Sequence, residues 1–276
     1  MIWPPRAGCC AIMKSRLPMD EPAPAALNHD AFLGGRVRAW QPRAGYRAGV
    51  DPVLLAAAIA ATPGQSALEL GTGAGVASLC LAARVAGLRL AAVERQPAYA
   101  ALARRNAADA GIGLEVHCAD IAAMPAALKA QVFDHVFANP PYHPRGTSLP
   151  AAEPGREAGR GEADTPLALW LEAGARRVRP GGWLTLIQRI ERLPELLAGC
   201  AGAGLGSIGV LPLAPRAGRA ARLVLLRARK EGRAPFVLHA PLVLHAGATH
   251  GADTPDYTAE AQAILRDGAA IGWLTR

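Results

Sequence analysis

Lysine is almost missing from this chain. Of its 276 residues, 30 are Lys or Arg, and the only lysines are Lys14, Lys129 and Lys230. The formal net charge of +8 is therefore arginine charge. An Ala-, Gly- and Arg-rich composition is what a GC-rich genome produces, so the charge has two readings. It is either compositional or it serves a polyanionic partner such as nucleic-acid phosphate. Cysteine is scarce as well: Cys9, Cys10, Cys80, Cys118 and Cys200. No pair has metal-ligand spacing, and adjacent Cys9 and Cys10 make no zinc knuckle. The odd count without a framework fits a reducing compartment, and Cys80 and Cys118, in apolar segments, are expected in the core. Long hydrophobic runs are missing too. None reaches membrane-spanning length, and the first thirty residues lack the apolar centre of a signal peptide. These absences point to a cytoplasmic chain with no membrane partner. Its hydrophobic content of 51 % is enough for a sizeable core.

The segment 1–29 is expected to be a disordered leader, with Met13 or Met19 as alternative starts. Residues 30–65 form an N-terminal extension: a short alternating stretch, a turn near Pro42 to Gly45, then a helix. That helix is expected to open at Asp51-Pro52, acid at the cap and proline in the first turn. From Ser66 the pattern becomes α/β. "SALEL", "LRLAAVE", "LEVHC" and "VFDHVFA" read as strands, separated by helices over "GVASLCLAARVAG" and "QPAYAALARRNAADAG". Alternation of this kind predicts a mostly parallel sheet covered on both faces. Residues 143–164 carry Gly, Pro and charge without apolar periodicity and read as a long mobile loop. A helix over Thr165 to Val178 should stop at "RPGG", before the strand "WLTLIQ". The helix "LPELLAGCAGAG", the strands "SIGVLPL" and "ARLVLLRAR", and an appendage from about residue 235 complete the domain 66–276, with a last helix near "YTAEAQAILR".

Two stretches carry chemistry. In "ALELGTGAGV" a strand ending at Leu70 runs into Gly71, Gly73 and Gly75. Glycines there allow a tight turn and let a ligand approach the backbone at a helix N-terminus. A dinucleotide fingerprint would need its third glycine at the position of Val76. Glu94, ending the second strand, stands where an acid grips ribose hydroxyls in a βαβ nucleoside site. Asp120, after the third strand, can accept from an adenine amine. The second stretch is "NPPY", Asn139, Pro140, Pro141 and Tyr142, after the fourth strand. Prolines cannot extend a strand, so an amide, a rigid corner and an aromatic stand at the strand-end edge where open α/β sheets bind ligands.

These residues resemble class I S-adenosylmethionine-dependent methyltransferases. The resemblance implies a Rossmann-like α/β fold, with a seven-stranded, mostly parallel sheet and an antiparallel final strand, a role for "ARLVLLRAR". It implies S-adenosylmethionine as cofactor, held by Gly71, Thr72, Gly73, Ala74 and Gly75, with Glu94 on the ribose, Asp120 on the adenine and Asn139 beside the methyl group. Relatives with NPPY methylate a planar nitrogen: adenine N6, guanine N2 or a glutamine amide. Such a nitrogen has its lone pair delocalised. The Asn139 side-chain oxygen and the Pro140 carbonyl can each accept an N–H and localise that lone pair, with the prolines fixing the direction. Tyr142 is expected to stack on an extruded base, so that phenylalanine there would be mild.

The segments "GYRAGVDPVLLAAAIAA", "LPLAPRAGRAARLVLLRARK" and the terminal "PLVLHAG" and "YTAEAQAIL" are similar to bacterial tRNA (adenine-N6)-methyltransferases that act beside the anticodon of a valine tRNA. That resemblance implies tRNA as partner; the oligomeric state is not implied, and a monomer is assumed. A release-factor glutamine methyltransferase and an rRNA guanine-N2 methyltransferase share NPPY and stay open as alternatives. A non-catalytic RNA-binding protein on the same fold stays open too. A nicotinamide enzyme is disfavoured by Val76. His117, His135, His239 and His245 are expected to be satisfied histidines with no metal. Trp40, Trp170 and Trp183 are expected to pack. Arg36, Arg38, Arg43, Arg47, Arg216, Arg219 and Arg222 are candidates to grip phosphate.

Overall fold

The computed structural model describes residues 26–142, 165–247, 249 and 256–273. The expectations for most of the leader and for the loop 143–164 lie outside these residues. Strands β1 (Leu27–Phe32) and β2 (Val37–Pro42) form an antiparallel hairpin, beginning three residues ahead of the expected start at Asp30. Helix α1 (Asp51–Ala58) follows. Next come β3 (Ser66–Leu70), α2 (Val76–Arg84), β4 (Arg89–Glu94), α3 (Pro97–Asp109), β5 (Leu114–Cys118), α4 (Ala126–Lys129) and β6 (Phe133–Ala138). The remaining elements are α5 (Leu167–Arg177), β7 (Val178–Arg189), α6 (Leu193–Gly202), β8 (Leu205–Ala214), β9 (Leu223–Lys230), β10 (Val237–Leu238), β11 (Leu242–Val243) and α7 (Ala259–Asp267).

Among the described residues the main sheet runs β10-β8-β9-β7-β6-β3-β4-β5, with β11 also paired to β8. The seven expected strands are its centre, and two two-residue strands extend the β8 edge. β9, the expected antiparallel strand, is antiparallel to both β7 and β8. β3, β4 and β5 lie in sequence order, whereas β6 pairs on the other side of β3. The order therefore reverses at β3/β6, and a crevice opens at their C-terminal ends.

One core lies on the face covered by α1, α2 and α7, with Leu54, Leu79 and Ile264 in it. The other lies under α4, α5 and α6, around Leu128, Leu171 and Leu196. Every residue of α1 from Pro52 to Ala58 is buried, as expected for a helix that is apolar all round. The hairpin docks on α3 through Asn106, which is fully buried. Its amide accepts from the Trp40 N–H (2.7 Å) and donates to the carbonyls of Trp40 (3.0 Å) and Ala74 (2.8 Å). A buried amide needs such partners, and these three fasten the N-terminal extension to the glycine loop.

Three expectations are corrected. "RPGG" does not separate helix from strand, because β7 starts at Val178 and runs through it. Gly182 makes this feasible: a Cβ there would stand 2.8 Å from the Asp134 carbonyl oxygen of β6. Cys118 is exposed rather than in the core, because β5 is the edge strand with only β4 beside it. Asp51 does not cap α1 with its side chain, which is turned elsewhere, as described below.

Candidate functional site

The C-terminal ends of β6, β3, β4 and β5 lie side by side, with Leu70 opposite Ala138 and Val93, and Glu94 opposite Cys118. Asn139, the glycine loop, Glu94 and Asp120 therefore follow one another along a single edge. The loop is held by Gly71 and Thr72 N–H groups donating to the Val93 carbonyl (2.8 and 3.1 Å). Gly71, Gly73 and Gly75 all have positive φ, the region open to glycine at little cost. At Gly71 a Cβ would collide with the Trp170 ring at 2.5 Å. Trp170 is thus the packing residue expected, and it forms the floor of the loop.

Glu69, in β3, was not singled out in the sequence, yet it organises the loop. It is buried, and one carboxylate oxygen accepts from the Thr72 hydroxyl (2.7 Å), the Ser78 N–H (3.1 Å) and the Ser78 hydroxyl (2.5 Å). The visible signal was an acid inside an otherwise apolar strand. Burial pushes its carboxyl up from 4.5 to about 7, against the lowering effect of these hydrogen bonds. The folded chain therefore holds a proton that the unfolded chain releases between those values. Stability from this group is full below about pH 4.5 and is lost as pH rises through about 7, a difference of about 3 kcal/mol. Glu69→Gln removes the titration. The stability of the natural protein relative to this variant should fall by about that amount from pH 4.5 to 8 in urea unfolding. A pH-independent difference would contradict the assignment.

Glu94 is also buried, and its two oxygens accept from the Gly73 N–H and the Gln96 N–H, each at 2.8 Å. Burial raises its pKa, and the hydrogen bonds from Gln96 and Gly73 oppose that rise. Asp120 is more open. One oxygen caps a short 3-10 turn through the Ala122 N–H at 2.8 Å, and the other lies 4.0 Å from Arg95.

At NPPY, the Asn139 amide nitrogen lies 3.5 Å from the Tyr46 hydroxyl, and its Oδ1 is buried with no hydrogen-bond partner among the described residues. Gln188, fully buried at the end of β7, donates to the Pro140 and Pro141 carbonyls (3.4 and 3.2 Å), and its own oxygen accepts from the Arg189 N–H. A carbonyl has two acceptor lone pairs, so Pro140 keeps one for a further donor. Tyr46 closes the gap towards the loop: its ring is 3.5 Å from a Cβ built on Gly73, and its carbonyl accepts from Tyr99. Gln188 and Tyr46 were missed in the sequence; the signal for Gln188 was a polar residue ending an apolar strand.

Asp51 accepts from the Tyr142 hydroxyl at 2.5 Å. Burial raises the Asp51 pKa while this bond lowers it, and burial together with Asp51 raises that of Tyr142. Tyr142 is therefore more than a ring face, and the expectation that phenylalanine is mild is revised. Tyr142→Phe should cost about 1–3 kcal/mol of stability, since it leaves a half-buried carboxylate without its donor. In an Asp51→Ala background the same change should cost little, a double-mutant cycle read by chemical denaturation. Equal cost in both backgrounds would show the contact to be unimportant.

The other candidates separate. Arg216 is tied to Asp256 and to the Ala246 carbonyl, so it is not a free phosphate contact. Arg47 pairs with Asp30 at 2.7 Å. Arg36, Arg38, Arg43, Arg219 and Arg222 are exposed. Trp40 packs, with His29 stacked at 4.2 Å and the Arg105 guanidinium 4.5 Å from the ring centre. His245 pairs with Asp256 at 2.6 Å and His117 with Glu115 at 3.1 Å, but the expectation of satisfied histidines fails for His135, whose Nδ1 is buried without a hydrogen-bond partner among the described residues, and for His239. Its Nε2 is buried without a hydrogen-bond partner among the described residues. No cluster of metal-ligating side chains occurs among those residues.

Residues 48–153 match the methyltransferase small domain family. A tRNA1(Val) (adenine(37)-N6)-methyltransferase of Porphyromonas gingivalis is 31 % identical over 175 residues, covering 60 % of this chain and 68 % of that protein. One of the same description from Actinobacillus succinogenes is 33 % identical over 153 residues, covering 54 % of this chain and 64 % of its own length. Among solved structures, a predicted O-methyltransferase from Agrobacterium tumefaciens aligns with 80 % of this chain and 98 % of its own, at 28 % identity and a TM-score of 0.64.

Proposed function

This chain belongs to the class I S-adenosylmethionine-dependent methyltransferases, and we propose that it methylates the exocyclic N6 amine of an adenine in tRNA, beside the anticodon, in the cytoplasm. Its cofactor is S-adenosylmethionine, which supplies an electrophilic methyl group on a sulfonium. The edge fits that group. Gly71 and Gly73 expose backbone without a Cβ, Glu94 brings a carboxylate to the loop, and Asp120 stands one strand further along, for the adenine. In this reading Thr72, Ala74 and Gly75 complete the loop that faces the methionine part.

The observation that carries the proposal is the unpartnered, buried Oδ1 of Asn139 beside a Pro140 carbonyl that Gln188 holds in place. An aromatic amine has two N–H donors, and these two acceptors take one each. Engaging both bends the amine away from the plane of its ring and turns its lone pair towards the methyl. Both acceptors are fixed before the substrate arrives, so little reorganisation is required in the transition state. The amine becomes acidic as it is alkylated and releases its proton afterwards, so the site needs no strong base. Tyr142, held by Asp51, offers its ring to the base, and the exposed arginines of the β1–β2 hairpin and of the β8–β9 connection face the phosphates.

The test is incubation of the purified protein with S-adenosylmethionine and unmodified tRNA, then nucleoside mass spectrometry. N6-methyladenosine is expected, with a yield at subsaturating tRNA that falls between low and moderate salt as phosphate contacts weaken. N2-methylguanosine in rRNA, or a methylated glutamine in a release factor, with unmodified tRNA left untouched, would overturn the reading.

A further inference from the structure

At the opposite end of the sheet from NPPY lies a cavity of about 170 Å³, against the roughly 10–15 Å³ that one water needs. Trp183, in its wall, is five residues from Gln188 along β7, about 16 Å at strand rise. The cavity thus shares no residue with the methyl-transfer edge. Its walls are mostly apolar, with Ile208, Phe236 and Val237 beside Trp183. Three polar side chains line it, Ser207, Arg227 and His239, and the Ser207 hydroxyl already accepts from the Ala234 N–H at 2.9 Å.

Arg227 is unusual for a cation in this position. Its guanidinium carbon lies 4.7 Å from the centre of the Trp183 ring and 4.4 Å from that of Trp273. Ring contacts of this kind attract a cation, but they do not occupy its N–H donors in the plane of the group. Its Nε is buried without an acceptor, and it forms no ion pair among the described residues. Burial lowers its pKa only to about 10, so it is charged at neutral pH. His239 is 6 % exposed, its Nε2 is buried and unpartnered, and its ring meets Trp273 edge-on at 5.3 Å. Burial and Arg227 lower its pKa, leaving a neutral ring with one N–H to give.

The two nitrogens lie near one another beside Gly209. A Cβ built on Gly209 would lie 3.4 Å from Arg227 Nε and 3.4 Å from His239 Nε2. Two buried nitrogens this close, Arg227 Nε and His239 Nε2, each without a hydrogen-bond partner among the described residues, are costly to bury without an acceptor near them. We propose that this cavity is a second ligand site, which binds a small organic anion, its carboxylate or phosphate head between Arg227 and His239 and its apolar body against Trp183 and Phe236.

Benzoate and phenyl phosphate are suitable probes of the two head groups, titrated against the full chain by calorimetry and tryptophan fluorescence. Saturable binding of one or both is expected, and the tighter probe identifies the head group. Arg227→Met, which keeps the stem and removes the charge, should weaken binding at least tenfold. Gly209→Ala, which places a methyl 3.4 Å from both nitrogens, should weaken it severalfold and serves if Arg227→Met fails to fold. Asn139→Ala should bind both probes as the natural protein does. Absence of saturation by either probe, or unchanged affinity in a folded Arg227→Met or Gly209→Ala variant, would overturn the proposal.

Discussion

Asn139→Ala should lower the single-turnover rate of methyl transfer by roughly 10²–10³-fold, the scale seen when one preorganised transition-state hydrogen bond is removed, while S-adenosylmethionine affinity stays near normal. The side chain is placed for that outcome. Its Oδ1 is buried with no partner among the described residues, and its amide nitrogen leans on Tyr46 at a long 3.5 Å. Its side chain also hydrogen-bonds Tyr142, so truncation releases contacts of the amide nitrogen but none of Oδ1. Its value lies in the amine it receives as that amine rehybridises. Interactions made chiefly in the transition state appear in turnover rather than in ground-state binding. The measurement is single-turnover methylation over a tRNA concentration series, with cofactor affinity measured by calorimetry on the same preparation. A near-normal rate at saturating tRNA would remove Asn139 from the chemistry. A collapse of cofactor affinity would instead make it a cofactor contact first.

Much of this edge was legible in the chain because it depends on local sequence. The glycines of the loop, the acid ending β4 and the NPPY corner each sit next to a strand whose periodicity is visible. Parallel pairing then brings strand ends together whatever the helices contain. What could not be read depends on contacts far apart in sequence. Gln188 reaches residues 47 and 48 positions away, and Asp51 meets Tyr142 across 91. Asp51 illustrates the limit well. Next to Pro52 it has the local signature of a helix cap, but a half-buried phenol is its partner instead. "RPGG" misled for the opposite reason: Gly182 meets the close approach of β6 and does not mark a break. Cys118 has an apolar neighbourhood in sequence, and only the strand order shows that β5 has a single neighbour.

Glu94→Ala should weaken S-adenosylmethionine binding roughly 10- to 150-fold, the equivalent of about 1.5–3 kcal/mol for a lost charge-assisted hydrogen bond. The structure adds a second effect to that expectation. Glu94 also satisfies the Gly73 and Gln96 N–H groups at 2.8 Å each. Without it, the Gly73 N–H is buried and unpaired in the loop that is to face the cofactor. The protein without cofactor should then lose about 1–3 kcal/mol of stability as well. The two effects can be separated. Glu94→Gln keeps one acceptor oxygen, which can serve Gly73 but not a charge-assisted bond to ribose hydroxyls. It should recover much of the stability while leaving cofactor affinity low. Urea unfolding of the cofactor-free variants gives the first quantity and calorimetry the second. If Glu94→Gln restored affinity and stability in parallel, the carboxylate would act only by shaping the loop. If a folded Glu94→Ala bound the cofactor as tightly as the natural protein, the ribose assignment would have to be given up.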